Sequence, residues 1–150
     1  MKLISHRGNY DCVFPDMENR PAYIDKAINL EYDVEIDIRL INNNLFLGHD
    51  KPEYKISLDW LLIRKNNLWI HTKNFEALSF LIDKDLKIFY HAQEQHTIIN
   101  NCNLIWSHNL LETTNKSIIP LISKNDILTF PKYSHVYGIC SDYISLVEKL

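Results

Sequence analysis

The chain has 150 residues, 46% of them hydrophobic, and a net charge of −3. We expect residues 1–150 to form one domain with a real core, and the absence of a basic block argues against nucleic acid as a partner. Three scattered cysteines, Cys12, Cys102 and Cys140, favour reduced thiols in a cytoplasmic protein over a disulfide framework. No leader peptide is visible and no apolar run approaches the ~20 residues of a membrane span, so we expect no stable membrane insertion.

Strands and helices alternate in the first half of the chain. A helix is predicted over 18–31, and two more are predicted to begin after Ser57 and Asn74, because serine and asparagine are favoured N-caps. Four apolar runs predict strands, of which the third pairs back on the second as a hairpin. These strands are predicted over 2–5, 33–40, 45–48 and 68–72.

The second half shows the same alternation with weaker signals. A short helix is predicted over 93–99 and a closing helix over 142–150. Strands are predicted over 87–91, 104–107, 118–122 and 136–140. Such alternation indicates an α/β fold with a mostly parallel sheet. Since a full eight-stranded β/α barrel takes ~250 residues, we expect a reduced, truncated barrel. Residues expected to face the core include Phe75, Leu78, Leu81, Ile82 and the aromatic residues Trp60, Trp69 and Tyr90.

Ionisable residues gather where the predicted strands end, and sites in α/β folds lie at the C-terminal ends of strands. In the strand over 33–40, Glu35 and Asp37 share one face, and carboxylates spaced in this way can share one hard divalent cation. A histidine pair could supply an acid and a base, and Arg7 and Lys73 could hold phosphate oxygens. The set suits phosphodiester chemistry. The other ionisable residues at predicted strand ends are His6, His49, Asp50, His71, His91, His108 and Asp142.

Several motifs carry a resemblance to a known family. SHRGN, MEN with AYIDKAI, YDVEIDIRL, LFLGHD and WIHTKN resemble the glycerophosphodiester phosphodiesterase family, which has a TIM-barrel fold shared with the phosphatidylinositol-specific phospholipases C. The resemblance covers about the first half of the chain and returns at GICSDYI, whereas the segment from about 91 to 137 matches poorly. It implies a short, TIM-type member of that family.

The resemblance also implies a role for each residue that matches a family motif. It implies that His6 and His49 are the catalytic pair and that Glu35 and Asp37 are metal ligands. The phosphate-binding or site-shaping residues that it implies are Arg7, Asn19 and Lys73.

Position 71 departs from the family pattern. The family usually has a glutamate there as the third metal ligand, and this chain has His71. The resemblance implies one divalent metal, Mg²⁺ or Ca²⁺, whereas a histidine ligand shifts the preference towards Mn²⁺ or Zn²⁺. Three interpretations of His71 stay open: a metal ligand, a substrate contact, or a hydrogen-bonded core histidine.

The expected function is metal-dependent hydrolysis of a glycerophosphodiester-like or related small phosphodiester. Two alternatives stay open. One is a phosphate-binding module without turnover, and the other is a lyase- or transferase-type relative that forms a cyclic or transferred phosphate product. The remaining histidines receive the ordinary interpretation: His91 and His96 as polar residues like Glu94, and His108 and His135 without a functional role.

Overall fold

The structure, a computed structural model, describes every residue from Met1 to Leu150. None of its helices has the length and apolarity that a bilayer crossing requires. The strands are β1 (Lys2–His6), β2 (Asp33–Ile41), β3 (Asn44–Leu47), β4 (Tyr54–Ile56), β5 (Leu68–Thr72), β6 (Ile88–Phe89), β7 (His96–Ile99), β8 (Leu104–Ser107), β9 (Ser117–Pro120) and β10 (Gly138–Ser141). The helices are α1 (Pro21–Asn29), α2 (Leu58–Ile63), α3 (Phe75–Leu81), α4 (Lys124–Ile127) and α5 (Ile144–Val147), with a 3₁₀ turn over Phe130–Tyr133.

All ten strands belong to one mixed sheet that is mostly parallel. The parallel strands run in the order β6-β5-β2-β1-β10-β9-β8, the β3–β4 hairpin extends β2, and β7 pairs antiparallel with β8. The sheet curls so that its two ends meet: the backbone N–H of Asn100, just past β7, donates to the carbonyl of Ile88 in β6 at 2.8 Å. This curled sheet with its helices confirms the predicted α/β fold and the reduced TIM-type barrel.

The inside of the curl holds an apolar cluster, beside which β2 places acidic residues. Seven other strands contribute the buried cluster formed by Ile4, Trp69, Phe89, Ile99, Leu104, Trp106, Ile118 and Cys140. The buried residues of β2 that share this face are acidic, namely Asp33, Glu35 and Asp37, and Glu35 lies directly beside Trp69 of β5. The opposite face of β2 packs its aliphatic residues against α1, α2 and α3. The two faces of β2 thus differ: one packs against the helices, and the other carries a line of buried carboxylates.

Local capping signals set the starts of two helices as expected. The Ser57 hydroxyl accepts the N–H of Trp60 at the start of α2, and the Asn74 side chain accepts the N–H of Ala77 at the start of α3. The helix predicted over 18–31 begins only at Pro21, because Asn19 adopts a left-handed conformation with φ 59°. Residues 142–150 are helical only over α5.

Two interpretations from the sequence are wrong. The segment 93–99 is not helical and instead forms β7, whose run Thr97, Ile98 and Ile99 is β-branched and pairs with β8. Phe75 and Ile82 do not face the core, since their exposures are 72% and 53%. The α3 helix has only seven residues, and its buried stripe is Ala77 and Leu81. Tyr90, which was also expected in the core, is 41% exposed.

A charge network ties the strands together at the end opposite the ionisable cluster. Asp33 accepts hydrogen bonds from Trp69 Nε1 at 2.9 Å and from Lys2 Nζ at 3.1 Å, and Lys87 Nζ lies 4.0 Å away. These residues belong to β1, β2 and β5 and to the segment that enters β6. The Asp33 carboxylate is therefore neutralised by its own surroundings, and its role is structural.

We expect Asp33→Ala to lower the free energy of unfolding by about 2 kcal/mol or more. The change leaves the buried Trp69 N–H without an acceptor and removes the counter-ion of two lysines, although the exposure of Lys2 limits the loss. Urea unfolding measures it, with the exposed Asp83→Ala as the control that should change little. Equal losses in the two variants would contradict the structural role of Asp33.

Candidate functional site

One cleft of about 430 Å³ opens at the C-terminal ends of the parallel strands. Nine of its 14 lining residues have ionisable side chains, and β1, β2 and β5 each contribute to it. Six of the eight residues singled out in the sequence line it: His6, Arg7, Glu35, His49, His71 and Lys73. The other two, Asp37 and Asn19, lie behind this lining and are almost fully buried. The topology therefore brings residues from distant parts of the chain to one place.

Two carboxylates and one imidazole form a compact cluster in the cleft wall. Parallel pairing places Asp37 of β2 beside His71 of β5, and His71 Nδ1 lies 3.2 Å from Asp37 Oδ1 and 3.9 Å from Glu35 Oε1. All three residues are buried, and one ligand atom from each lies within 4.8 Å of the others. The spacing by two along β2 and the register with β5 are sufficient to build this cluster.

The cluster fits a divalent metal ion. Glu35 Oε2, Asp37 Oδ1 and His71 Nε2 are buried and have no well-aligned hydrogen-bond partner. Buried polar atoms without partners are costly, so such a group of them calls for a ligand. Carboxylate oxygens suit Mg²⁺, Ca²⁺ and Mn²⁺, and an imidazole nitrogen extends the choice to Zn²⁺. The donor set is thus suited to one divalent ion without fixing which one.

The surroundings shift the pKa values of the two carboxyl groups in opposite directions. Burial, together with the charge of Asp37, raises the pKa of Glu35 well above its usual range. Burial acts on Asp37 in the same direction, but the contact with His71 and the charge of Arg7 outweigh it and hold the pKa of Asp37 below its usual range. Burial lowers the pKa of His71, which extends the pH range of the neutral form that can bind a metal.

His6 is oriented by Asp142, one of the strand-end ionisable residues, for which the sequence predicted no individual role. Its Nδ1 lies 2.8 Å from Asp142 Oδ1, just past β10, and Asn9 Nδ2 donates to the same oxygen at 2.8 Å. His6 Nε2 is left facing Glu35, with 3.9 Å to Oε2. Burial works against a charged His6, but the hydrogen bond with Asp142 and the charge of Glu35 outweigh it and raise the pKa of His6. The signal for Asp142 was its place after the last strand, in GICSD.

Arg7 and Asn19 hold Asp37 from behind. The Arg7 guanidinium lies between two carboxylates, with Nε 2.9 Å from Asp37 Oδ2 and Nη1 3.0 Å from Glu18 Oε2. Asn19 Nδ2 donates to Asp37 Oδ2 at 3.0 Å, and Asn19 Oδ1 accepts the backbone N–H of Asp37 at 2.9 Å. Asn19 therefore positions a carboxylate. The chain turns at Gly8, directly after Arg7. The turn needs glycine, because φ is 93° there and a Cβ would lie 2.8 Å from Tyr23.

His49 reaches the cleft from the loop after β3. Gly48 has φ 141°, and a Cβ at that position would lie 2.1 Å from the Lys51 carbonyl, so the loop needs glycine. Arg39 donates to the His49 carbonyl, which fixes the backbone of the loop. The His49 side chain is 38% exposed and its Nδ1 lies 2.7 Å from the Asp50 carboxylate. His49 is thus the more solvent-accessible of the two predicted catalytic histidines.

Lys73 and two further histidines complete the polar lining. Lys73 Nζ lies 3.8 Å from Asp37 Oδ1, with 18% of its side chain exposed. His91 and His108 follow β6 and β8, and their Nε2 atoms are 3.1 Å apart. The sequence offered no local signal for that pairing, since 17 positions separate the two residues. Five of the seven histidines therefore line one cleft.

Comparisons with known proteins add little to this description. No protein-family model matches the chain, and no curated protein matches its sequence. A solved structure of similar shape is the crystal structure of a "putative glycerophosphodiester phosphodiesterase" from Galdieria sulphuraria. The match covers 99% of this chain and 96% of that one, with 13% identity and a TM-score of 0.47. These values assign neither a family nor an activity.

In the metal-free protein, the free energy of unfolding of Glu35→Gln should increase relative to that of wild type as the pH rises. Between the ordinary carboxyl pKa of ~4.3 and the raised pKa of folded Glu35, the folded chain retains a proton that the unfolded chain has lost, so stability falls with increasing pH. An amide does not titrate and removes this fall. From pH 5 to pH 8, the free energy of unfolding of the variant relative to wild type should rise by at least ~1.4 kcal/mol, the value of a tenfold change in proton affinity.

Urea unfolding in the presence of EDTA at the two pH values measures this difference. The matched control is Glu76→Gln, an exposed glutamate of α3. A pH-independent difference for Glu35→Gln would contradict the raised pKa.

Proposed function

We propose that the protein is a metal-dependent phosphodiester hydrolase that acts on a glycerophosphodiester-like or related small phosphodiester. The observation that supports this most strongly is the position of His6. It lies 3.9 Å from Glu35, beside the cluster of Glu35, Asp37 and His71, in the same cleft as His49. A metal cluster flanked by two histidines contains the groups that phosphodiester hydrolysis needs. The resemblance of the sequence motifs to the glycerophosphodiester phosphodiesterase family agrees with this proposal.

In this proposal, Glu35, Asp37 and His71 hold one divalent cation. When bound, the cation supplies Lewis acidity that neutralises phosphate charge and stabilises the charge that develops in the transition state. Two observations support this assignment: the buried Glu35 Oε2 has no hydrogen-bond partner, and one ligand atom from each of the three residues lies within 4.8 Å of the others. Mg²⁺ or Ca²⁺ would follow from the carboxylates, and the imidazole favours Mn²⁺ or Zn²⁺.

His6 and His49 provide the acid and the base. Asp142 holds His6 Nδ1, so Nε2 is the nitrogen that exchanges protons with the reacting groups. One histidine takes a proton from the attacking water, or from a neighbouring substrate hydroxyl if the reaction passes through a cyclic phosphate. The other gives a proton to the leaving alkoxide. Asp142 is a positioning residue, since its contacts are with His6 and Asn9.

The cations of the cleft bind the phosphate. Lys73 has no carboxylate partner nearer than 3.8 Å, so its ammonium is available to a phosphate oxygen. Arg7 is held between Asp37 and Glu18, and it faces the cleft with a fixed guanidinium. Lys73 therefore contributes an ammonium without a close ion pair, and Arg7 contributes a guanidinium held by two carboxylates.

The activity is tested by following phosphorus chemistry directly. Chelator-treated protein is incubated with glycerophosphocholine, with and without added Mg²⁺ or Mn²⁺, and the products are observed by ³¹P NMR. The proposal predicts a phosphomonoester that appears only when metal is present. A cyclic phosphate as the final product would show a lyase instead, and binding of the diester without any product would show a phosphate-binding module. Either result contradicts the hydrolase.

Removing either histidine should reduce turnover of bis(p-nitrophenyl) phosphate or a glycerophosphodiester by ~10² or more, the usual scale of acid–base catalysis. The variants are His6→Ala and His49→Ala, and both should remain folded because the two side chains are partly exposed. His135→Ala, a surface histidine that lines no part of the cleft, is the matched control. Normal turnover in a histidine variant would exclude that histidine from the mechanism.

His71 should determine which metal binds. His71→Phe keeps a ring beside Phe89 and removes both nitrogens. The Mn²⁺ affinity should fall at least ~10-fold, because the loss of a residue that only orients a metal ligand already lowers the affinity by about that factor. His71→Glu creates an all-oxygen donor set and should shift the preference towards Mg²⁺ or Ca²⁺. Calorimetric titration of Mn²⁺ and Mg²⁺ at pH 7.5 measures both. Unchanged metal affinities together with a raised KM would show that His71 contacts substrate instead.

A further inference from the structure

His91 and His108 form a close pair that the proposed reaction does not use. Each follows a strand that ends at the cleft, β6 for His91 and β8 for His108. Their Nε2 atoms are 3.1 Å apart, and the two rings meet edge to face with centroids 4.3 Å apart. Each imidazole therefore points its outer nitrogen at the other imidazole. The pair has a defined geometry at the surface of the cleft.

The contact limits which ring nitrogens of the pair can carry a proton. A hydrogen bond between two ring nitrogens needs one N–H and one lone pair, so at least one of the two Nε2 atoms is unprotonated. When a neutral imidazole carries its proton on Nδ1, its Nε2 lone pair is free, and in this pair each Nε2 is directed towards the other ring. Two such Nε2 lone pairs are the donors that a pair of imidazoles offers to a metal ion.

Aromatic packing holds His91 in place. Its ring stacks on His71 with centroids 4.3 Å apart and an interplanar angle of 12°, and His71 stacks in turn on Phe89 at 5.0 Å. Phe89 stacks on Trp106 at 4.4 Å. Because Phe89 and Trp106 are almost fully buried, the column anchors His91 to the interior of the barrel. A preorganised ligand loses less entropy when it binds a metal.

We propose that His91 and His108 together bind a divalent transition-metal ion, which forms a second metal site in the cleft. With metal–nitrogen distances of about 2.0–2.1 Å, two nitrogens on one ion lie roughly 3.0–3.4 Å apart. The observed separation of 3.1 Å falls within that span. The remaining coordination positions are open to water or to a phosphate oxygen, because the pair lines the open cleft.

The chemistry of the pair selects the kind of ion. Imidazole nitrogens suit Zn²⁺, Ni²⁺ and Co²⁺, whereas Mg²⁺ and Ca²⁺ require oxygen ligands that this pair does not offer. An anion subsite is less well supported, because each Nε2 is directed at the other ring and not at the middle of the cleft.

The site is tested by counting bound Zn²⁺ after equilibrium dialysis of wild type and variants. His91→Phe keeps a ring stacked on His71, and His108→Gln changes an exposed residue, so each variant removes one ligand with little effect on packing. Each should bind one Zn²⁺ per chain fewer than wild type. The Co²⁺-loaded variants should also lose one set of visible absorption bands. The control His135→Ala should bind as many ions as wild type.

The difference between wild type and variant is independent of the proposed hydrolase. If the cluster of Glu35, Asp37 and His71 binds no metal, wild type should bind one Zn²⁺ and the variants none, and the second site still holds. Equal Zn²⁺ counts in wild type and in both variants would overturn it. A loss of inorganic phosphate binding in the variants, with unchanged Zn²⁺ counts, would overturn it in favour of an anion subsite.

Discussion

The structure depends on the burial of three acidic side chains along the inner face of one strand. Asp33, Glu35 and Asp37 alternate on β2, and a carboxylate removed from water is costly unless other groups compensate it. The compensation differs along the strand. Asp33 has hydrogen bonds from Trp69 and Lys2, whereas Glu35 Oε2 and Asp37 Oδ1 lack well-aligned partners.

Along five residues of β2, Asp33 therefore has a structural role, whereas Glu35 and Asp37 remain available to a ligand. At the end of β2 remote from the cleft, Asp33 is satisfied by its own chain and connects neighbouring strands. At the end of β2 that faces the cleft, neighbouring side chains position Glu35 and Asp37 but leave some of their oxygens without a well-aligned hydrogen-bond donor. Asn19 and Arg7 hold Asp37 from one side, and His71 approaches from the other. A divalent cation would supply the missing charge, which is the physical basis of the proposed function.

Patterns local in the sequence were sufficient for most of this arrangement. The alternation over 33–40 placed Glu35 and Asp37 on one face, and the caps at Ser57 and Asn74 located two helices. Strand ends predicted which ionisable residues could approach one another. Local patterns did not predict the features that depend on residues distant in the sequence. Residues 93–99 form a strand because β8 pairs with them, and only the fold shows that Asp142 contacts His6 from 136 positions away or that His91 meets His108.

The most direct test of the account is to locate the cation itself. Crystals grown with Mn²⁺ and measured at the manganese absorption edge give an anomalous signal that marks each bound ion. The account predicts a strong peak within coordination distance of Glu35, Asp37 and His71, on the side of the cleft that His6 faces. A protein saturated with Mn²⁺ that shows no peak between these three side chains, while they keep the arrangement described above, would contradict it.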